Sequence, residues 1–305
     1  MKHLTLIALV CAICFSNAIA QTNIDSLTQS AEKGDTSAQY QLAQIYYNGF
    51  DVTVDKVLSF KWCLKAAELG HAESQFAAGY IYLYGDSIIE PDIKKGIEFY
   101  TKAASQGIAD AQNSLGAIYN DGINGIEINK QEALKWFSKA AEQGNVQSQN
   151  SLAFMYSSGD GIPADKTKAF FWYTKAAEQD YSEAQYALAY MLYNGEGTAV
   201  DKLKAFEWYS KSADKDNPEA EYALGYMYEN GEGTEMNKEE AFNWYYKSAY
   251  NDNAMAQYAV GYMFYEGIGT EKDLEQAADW IKKSMDNGNE DAKQFWEKNK
   301  LGENQ

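Results

Sequence analysis

Residues 182–213 read SEAQYALAYMLYNGEGTAVDKLKAFEWYSKSA. In the first part, Ala184, Leu188, Ala189 and Leu192 recur at three- and four-residue spacing, which predicts the buried stripe of a helix. Gly195 ends that helix, because glycine accepts the left-handed backbone that helix ends require. After the short loop 196–200, Asp201 is placed to cap a second helix by accepting from its free N–H groups. Ala205, Trp208, Tyr209 and Ala213 supply the apolar face of this second helix. The stretch therefore predicts helix, turn, helix.

The same unit recurs along the whole chain. Aligned on one glutamine, the copies fall at Gln39, Gln75, Gln112, Gln149, Gln185, Glu221 and Gln257, in steps of 36 or 37 residues. A glycine follows ten residues later in every copy, at Gly49, Gly85, Gly122, Gly159, Gly195, Gly231 and Gly267. The cap of the second helix is Asp55, Asp92, Asn129, Asp165, Asp201, Asn237 or Asp273. A large aromatic then recurs as Trp62, Phe99, Trp136, Trp172, Trp208, Trp244 and Trp280, with a small residue three positions before it. Small opposite large lets helices approach while the ring fills the gap. The first helix has its own small position, Ala43, Gly79, Gly116, Ala153, Ala189, Gly225 and Gly261, which points to close helix contact. The two 37-residue steps fall in the loops after Gly85 and Gly122.

A period of this length means a stacked array, since one helix pair cannot bury both its faces. The expected fold is all-α, a right-handed αα-hairpin superhelix (solenoid) of seven 36–37-residue repeats plus a C-terminal capping helix. Its parts are a signal peptide at 1–20, the repeats at 21–288, and a capping helix with a short tail at 289–305. The segment from Gln21 to about Ser30 belongs to no full copy and either extends the first helix or frays.

The repeated pattern is Ala-Gln-Tyr-x-Leu-Gly/Ala-x-x-Tyr-x-x-Gly-x-Gly, followed by Asp-x-x-Lys-Ala-x-x-Trp-x-x-Lys-Ala-Ala-x-x-Gly. Residues 165–179 carry the second half from Asp165 through Lys168, Ala169, Trp172, Lys175, Ala176 and Ala177. This resembles the Sel1-like repeat, a subclass of the tetratricopeptide-type helical solenoids, over about residues 25–299. The closing glycine is kept at Gly34, Gly70, Gly107, Gly144 and Gly288 but is replaced by Asp180, Asp216 and Asp252. The resemblance implies adaptor work, the holding of other proteins, in an exported bacterial member of the family. Related secreted repeat proteins, rich in cysteine, are linked to penicillin binding and β-lactam hydrolysis. Their disulfide pair in each repeat is missing here, so a hydrolase of that type is the weakest reading.

The N-terminus reads as a secretory signal, with Lys2 and His3, an apolar run from Leu4 to Phe15, and a small-x-small ending at Ala18-Ile19-Ala20. Cleavage is expected after Ala20, giving a periplasmic or secreted protein with no membrane insertion after signal removal. The remainder of the chain holds one cysteine, Cys63, which predicts a buried thiol, with an intermolecular bridge as the alternative. The formal charge is −18, and all 26 basic residues are lysines. So acidic a surface disfavours nucleic acid and anionic lipid, which both need neutralising cations.

Catalysis is limited by supply. Beyond the signal segment there is one histidine, His71, at a predicted helix start. Zinc-type ligand sets and Cys–His or Ser–His systems therefore lack their parts. Gly195-Glu196-Gly197 and its equivalents follow helices and lack the lysine-Ser/Thr signature of a phosphate loop, so they read as turns. No enzyme activity, cofactor or metal is expected.

A ligand would meet the face of the first helices turned away from the second ones, the concave side of such an array. In the last three repeats that stripe reads Tyr186, Tyr190, Tyr193, Asn194, then Tyr222, Tyr226, Glu229, Asn230, then Tyr258, Tyr262, Tyr265, Glu266. Tyrosine combines broad apolar contact with a hydroxyl at low entropy cost, which suits a protein or peptide partner. Two alternatives stay open at this stage. The tyrosines could stack on sugars, making the protein a binder of peptidoglycan or a regulator of an envelope enzyme, or they could serve packing alone.

Overall fold

The computed structural model describes residues 24–50, 52–86, 89–123 and 125–301. The predicted signal segment 1–20 lies outside them. Helices and their connections make up the whole described chain, with no strand among these residues. The chain divides into two compact units, Met1–Ser148 and Gln149–Gln305.

In the first unit the helices are α1 (Ile24–Glu32), α2 (Thr36–Asn48), α3 (Lys56–Glu68), α4 (Ala72–Tyr84), α5 (Ile93–Ser105), α6 (Ala109–Asp121) and α7 (Lys130–Glu142). Helix α8 (Val146–Ser158) contains the dividing point. The second unit continues with α9 (Lys166–Glu178), α10 (Ser182–Asn194), α11 (Lys202–Ala213), α12 (Pro218–Asn230), α13 (Lys238–Tyr250), α14 (Ala254–Glu266), α15 (Leu274–Asp286) and α16 (Glu290–Asn299). Within each unit α2, α4, α6, α10, α12 and α14 pack most extensively on their own second helix and next on the preceding helix, so the αα-hairpin repeat is the building block.

Local chemistry sets the boundaries. All seven predicted cap residues, from Asp55 to Asp273, accept a backbone N–H in the first turn of their second helix. Gly49, Gly195, Gly231 and Gly267 end their first helices in the left-handed region. The loops 85–92 and 122–129 hold the extra residue, and there the glycine keeps a positive φ but takes a different ψ. Asp180, Asp216 and Asp252, which replace the closing glycine, adopt φ of 68°, 58° and 65°. Short acidic side chains tolerate that conformation better than most.

The segment before the first full repeat is a helix of its own rather than a prolongation of α2. Leu27 and Ala31 of α1 are buried in the same core as Leu42, Ala43 and Trp62. It acts as the last turns of a second helix, closing the N-terminal face of the array.

One expectation about the core shifts by a residue. In repeats four to six the tryptophans Trp172, Trp208 and Trp244 are only half-buried, and the next residue, Tyr173, Tyr209 or Tyr245, is the buried one. The small position on the first helix receives this neighbour. A methyl group on Gly225 would stand 2.5 Å from the Tyr245 ring, and one on Gly116 2.5 Å from Phe137. Two of these tryptophans lie beneath a lysine ammonium, with Lys211 Nζ 3.9 Å from the Trp208 ring centroid and Lys247 Nζ 5.6 Å from that of Trp244.

Candidate docking face

The marker glutamines are buried, and in three repeats each is a connector between helix ends. Gln75 Nε2 donates to the Ala67 carbonyl at the end of the preceding second helix (3.0 Å), and its Oε1 accepts from Gln106 at the end of its own second helix (2.7 Å). Gln112 repeats this with Ala104 and Gln143, and Gln257 with Ala249 and Asn287. Each amide thus ties the ends of two successive second helices and fixes where the first helix between them lies. In the sixth repeat Glu221 takes this place and is fully buried. Asn251 donates to one of its oxygens at 3.0 Å, and Lys247 Nζ lies 3.0 Å from the other. Lys247 also supplies the donor that a glutamine would give, reaching the Ala213 carbonyl at 3.2 Å, and pairs with Asp216 at 2.9 Å.

On this frame α10, α12 and α14 present their outer stripe, and the twelve expected residues fall into two groups. One group is held by neighbours. Tyr186 tilts against Tyr209 with ring centroids 5.7 Å apart, and Tyr222 against Tyr245 at 5.3 Å. The Tyr193 hydroxyl donates to Glu232 of the next repeat, while Lys202 lies over the Tyr193 ring at 4.8 Å. Glu229 accepts from the Tyr245 hydroxyl at 3.1 Å and pairs with Lys238 at 3.4 Å. Tyr258 and Tyr265 pack edge-on against Phe295 of α16 at 5.9 and 5.2 Å.

The second group is more exposed. Tyr190, Tyr226 and Tyr262 are 45%, 42% and 39% exposed, although Tyr262 also touches Phe295. Beside them stand Asn194, Asn230 and Glu266, all exposed. Asn194 and Asn230 each donate to the carbonyl one turn back, that of Tyr190 and Tyr226, at 2.9 Å.

Sequence reasoning missed one row. Two residues before the marker glutamine, Glu183 and Glu219 lie one turn N-terminal of Tyr186 and Tyr222 on the same stripe, with Met255 in that place in α14 and Asp291 in α16. The helical spacing was there to find them. Burial first, and then the Glu219 carboxylate, hold the Tyr186 hydroxyl above its usual pKa. Tyr258 is raised by burial and Asp291, and Tyr222 by burial and Glu229. Glu219, Asp291 and Glu229 thus each act on one tyrosine of the stripe, after burial.

His71 caps α4, its Nδ1 accepting from the Ser74 N–H at 3.3 Å and lying 3.0 Å from the Ser74 hydroxyl. Cys63 is buried, with its sulfur 3.6 Å from the Ser74 carbonyl oxygen. No helix among the described residues is long and apolar enough to cross a membrane.

Comparison with known proteins agrees with this architecture. The Sel1 repeat model matches at residues 36–71, 72–108, 109–145, 146–181, 182–217, 218–253 and 254–289. The chain belongs to the Sel1 repeat family, whose fold generally serves as a scaffold for protein–protein interaction. It is similar to a protective antigen present in uropathogenic Escherichia coli strains and displaying an SLR fold, with 33% identity and a TM-score of 0.80 over 89% of this chain. The match spans 58% of the antigen's own length. It is also similar to a Sel1 repeat protein from Oxalobacter formigenes, with 33% identity and a TM-score of 0.70, covering 90% of this chain and 79% of that one. Among curated proteins none matches.

Proposed function

We propose that the protein is an exported, non-enzymatic scaffold that docks a protein or peptide on the outer stripe of α10, α12 and α14. The observation that carries this is the division of the stripe. Tyr186, Tyr193, Tyr222, Tyr258 and Tyr265 are packed or paired with neighbouring side chains, whereas Tyr190 and Tyr226 keep exposed rings in register on adjacent repeats, with the Tyr226 hydroxyl reaching Tyr193. Large rings held in place by their helices, with free faces, are what protein recognition surfaces use for anchoring. Export rests on the signal-like segment 1–20.

Affinity capture on the chain from Gln21, wild type beside Tyr190→Ala/Tyr226→Ala, tests the reading by mass spectrometry. A protein held by the wild type and lost from the double mutant, with helicity unchanged, is expected. Equal capture by both would remove the stripe from the function. Peptidoglycan fragments bound in place of any protein would make the ligand a glycan.

A further inference from the structure

The lysines of this chain are distributed in a way that selects its ligand. None of the seven first helices, α2, α4, α6, α8, α10, α12 and α14, contains a lysine, and the chain has no arginine. Every second helix from α3 to α15 carries two or three. The docking stripe is therefore a surface of tyrosine, asparagine and carboxylate. Against partners it is attractive to cations and repulsive to anions.

Lysines do reach its C-terminal edge, and what they do there is informative. Lys202, from the start of α11, lies over the Tyr193 ring while its ammonium sits 2.9 Å from Glu232, the carboxylate that also accepts from the Tyr193 hydroxyl. Lys238, from the start of α13, pairs with Glu229. Lys272 lies over Tyr265 at 5.2 Å. The chain thus fills the tyrosine–carboxylate places at this edge with cations of its own. Further toward the N-terminal end of the same helices the tyrosines and carboxylates continue as Glu183 and Tyr190, then Glu219 and Tyr226. Among the described residues no lysine is in salt-bridge reach of Glu183 or Glu219, nor of Glu266 at the far end of α14. These residues are exposed.

We infer that the segment docked on this stripe is an extended, lysine- or arginine-rich stretch of the partner, with its cations over the open rings of Tyr190 and Tyr226 and against Glu183 and Glu219. The inference rests on the docking reading above. One ammonium or guanidinium gains from a tyrosine face and another from the carboxylate two turns away on the same helix, and a first-helix surface without lysine opposes no such ligand. The next repeat offers Tyr262 in the same register, with Met255 in place of the glutamate and Glu266 at the opposite end of the helix, so an extended chain crossing the helices meets a similar tyrosine step after step.

The test uses the chain from Gln21 and a defined probe, a synthetic alternating lysine–glycine peptide, with serine–glycine and glutamate–glycine versions as controls. Titration calorimetry at low and at physiological salt reads the affinity. The lysine peptide is expected to bind and the other two not to. Its affinity is expected to fall at least tenfold in Tyr190→Ala/Tyr226→Ala and in Glu183→Gln/Glu219→Gln. Because the whole chain is acidic, the deciding control is Glu207→Gln/Glu239→Gln, which removes the same charge from second helices. That pair is expected to bind like the wild type. Equal loss in it would mean diffuse attraction to net charge and would overturn the inference, as would serine–glycine binding as well as lysine–glycine. So would self-association lost in the tyrosine pair, which would give the stripe to a second copy. The two readings separate on the captured partner. A protein lost in the tyrosine pair but retained by Glu183→Gln/Glu219→Gln would keep the docking face and refute a cationic ligand.

Discussion

A methyl group on Gly197 would meet the Lys166 carbonyl oxygen at 2.1 Å, and one on Gly233 would meet that of Lys202 at 2.2 Å. These glycines let the loop of one repeat rest on the start of the preceding second helix, and both have positive φ. Gly288 shares the positive φ but has nothing within 4 Å. Gly288→Ala is expected to cost roughly 1–2 kcal/mol from the backbone alone, and Gly197→Ala clearly more, in urea unfolding. Glu221 gives a sharper residue-level test. Glu221→Gln restores the amide that Gln75, Gln112 and Gln257 use and leaves Lys247 its pairing with Asp216, so little stability change is expected. Lys247→Ala leaves a buried carboxylate with one amide donor and is expected to cost about 3 kcal/mol. Adding Glu221→Gln to Lys247→Ala should recover most of that loss. Additive costs in this cycle would refute the pairing.

At the scale of elements, most of the architecture was legible, for reasons that particular residues make plain. Asp201 and Gly195 punctuate the fifth repeat, and their equivalents do so in every copy, because caps and left-handed helix ends are local chemistry. Which of two adjacent aromatics is buried was not legible. Trp208 and Tyr209 differ by one helical step, and only the position of the neighbouring first helix decides between them. Tyr245→Ala is therefore expected to cost about 3–5 kcal/mol, as loss of a packed aromatic does, and Trp244→Ala less. The stripe was legible as a stripe for the same reason that its division was not. Tyr186, Tyr190 and Tyr193 share one helix face, and what separates them is Tyr209, Glu232 and Lys202 arriving from other elements. The role of Gln75 was hidden too. A buried amide joining two helix ends looks in sequence like any polar position.

Over the whole molecule, the buried tyrosines set an alkaline limit. Tyr173 is pushed up to about 12 by burial, and Tyr100, Tyr209 and Tyr245 still higher, chiefly by burial. In the unfolded chain these hydroxyls ionise near 10, so above that pH the unfolded state holds fewer protons and stability falls. Lys247, raised by Asp216 and Glu221 against the opposing effect of burial, acts in the same direction, its contribution present below about 10.5 and lost as pH rises through its folded value. Cooperative loss of helix with the appearance of tyrosinate absorbance above pH 10 is the expected outcome. Gradual tyrosine ionisation with helix intact would contradict the burial of these rings.

The central claim is that first helices, not second helices, carry the partner. A photoreactive phenylalanine analogue placed at Tyr226, and separately at Leu203 on the exposed side of α11, tests this most directly once a partner is captured. Crosslinking from position 226 and none from 203 is the expected result. Crosslinking from 203 alone would place recognition on the lysine-bearing second helices and contradict the account.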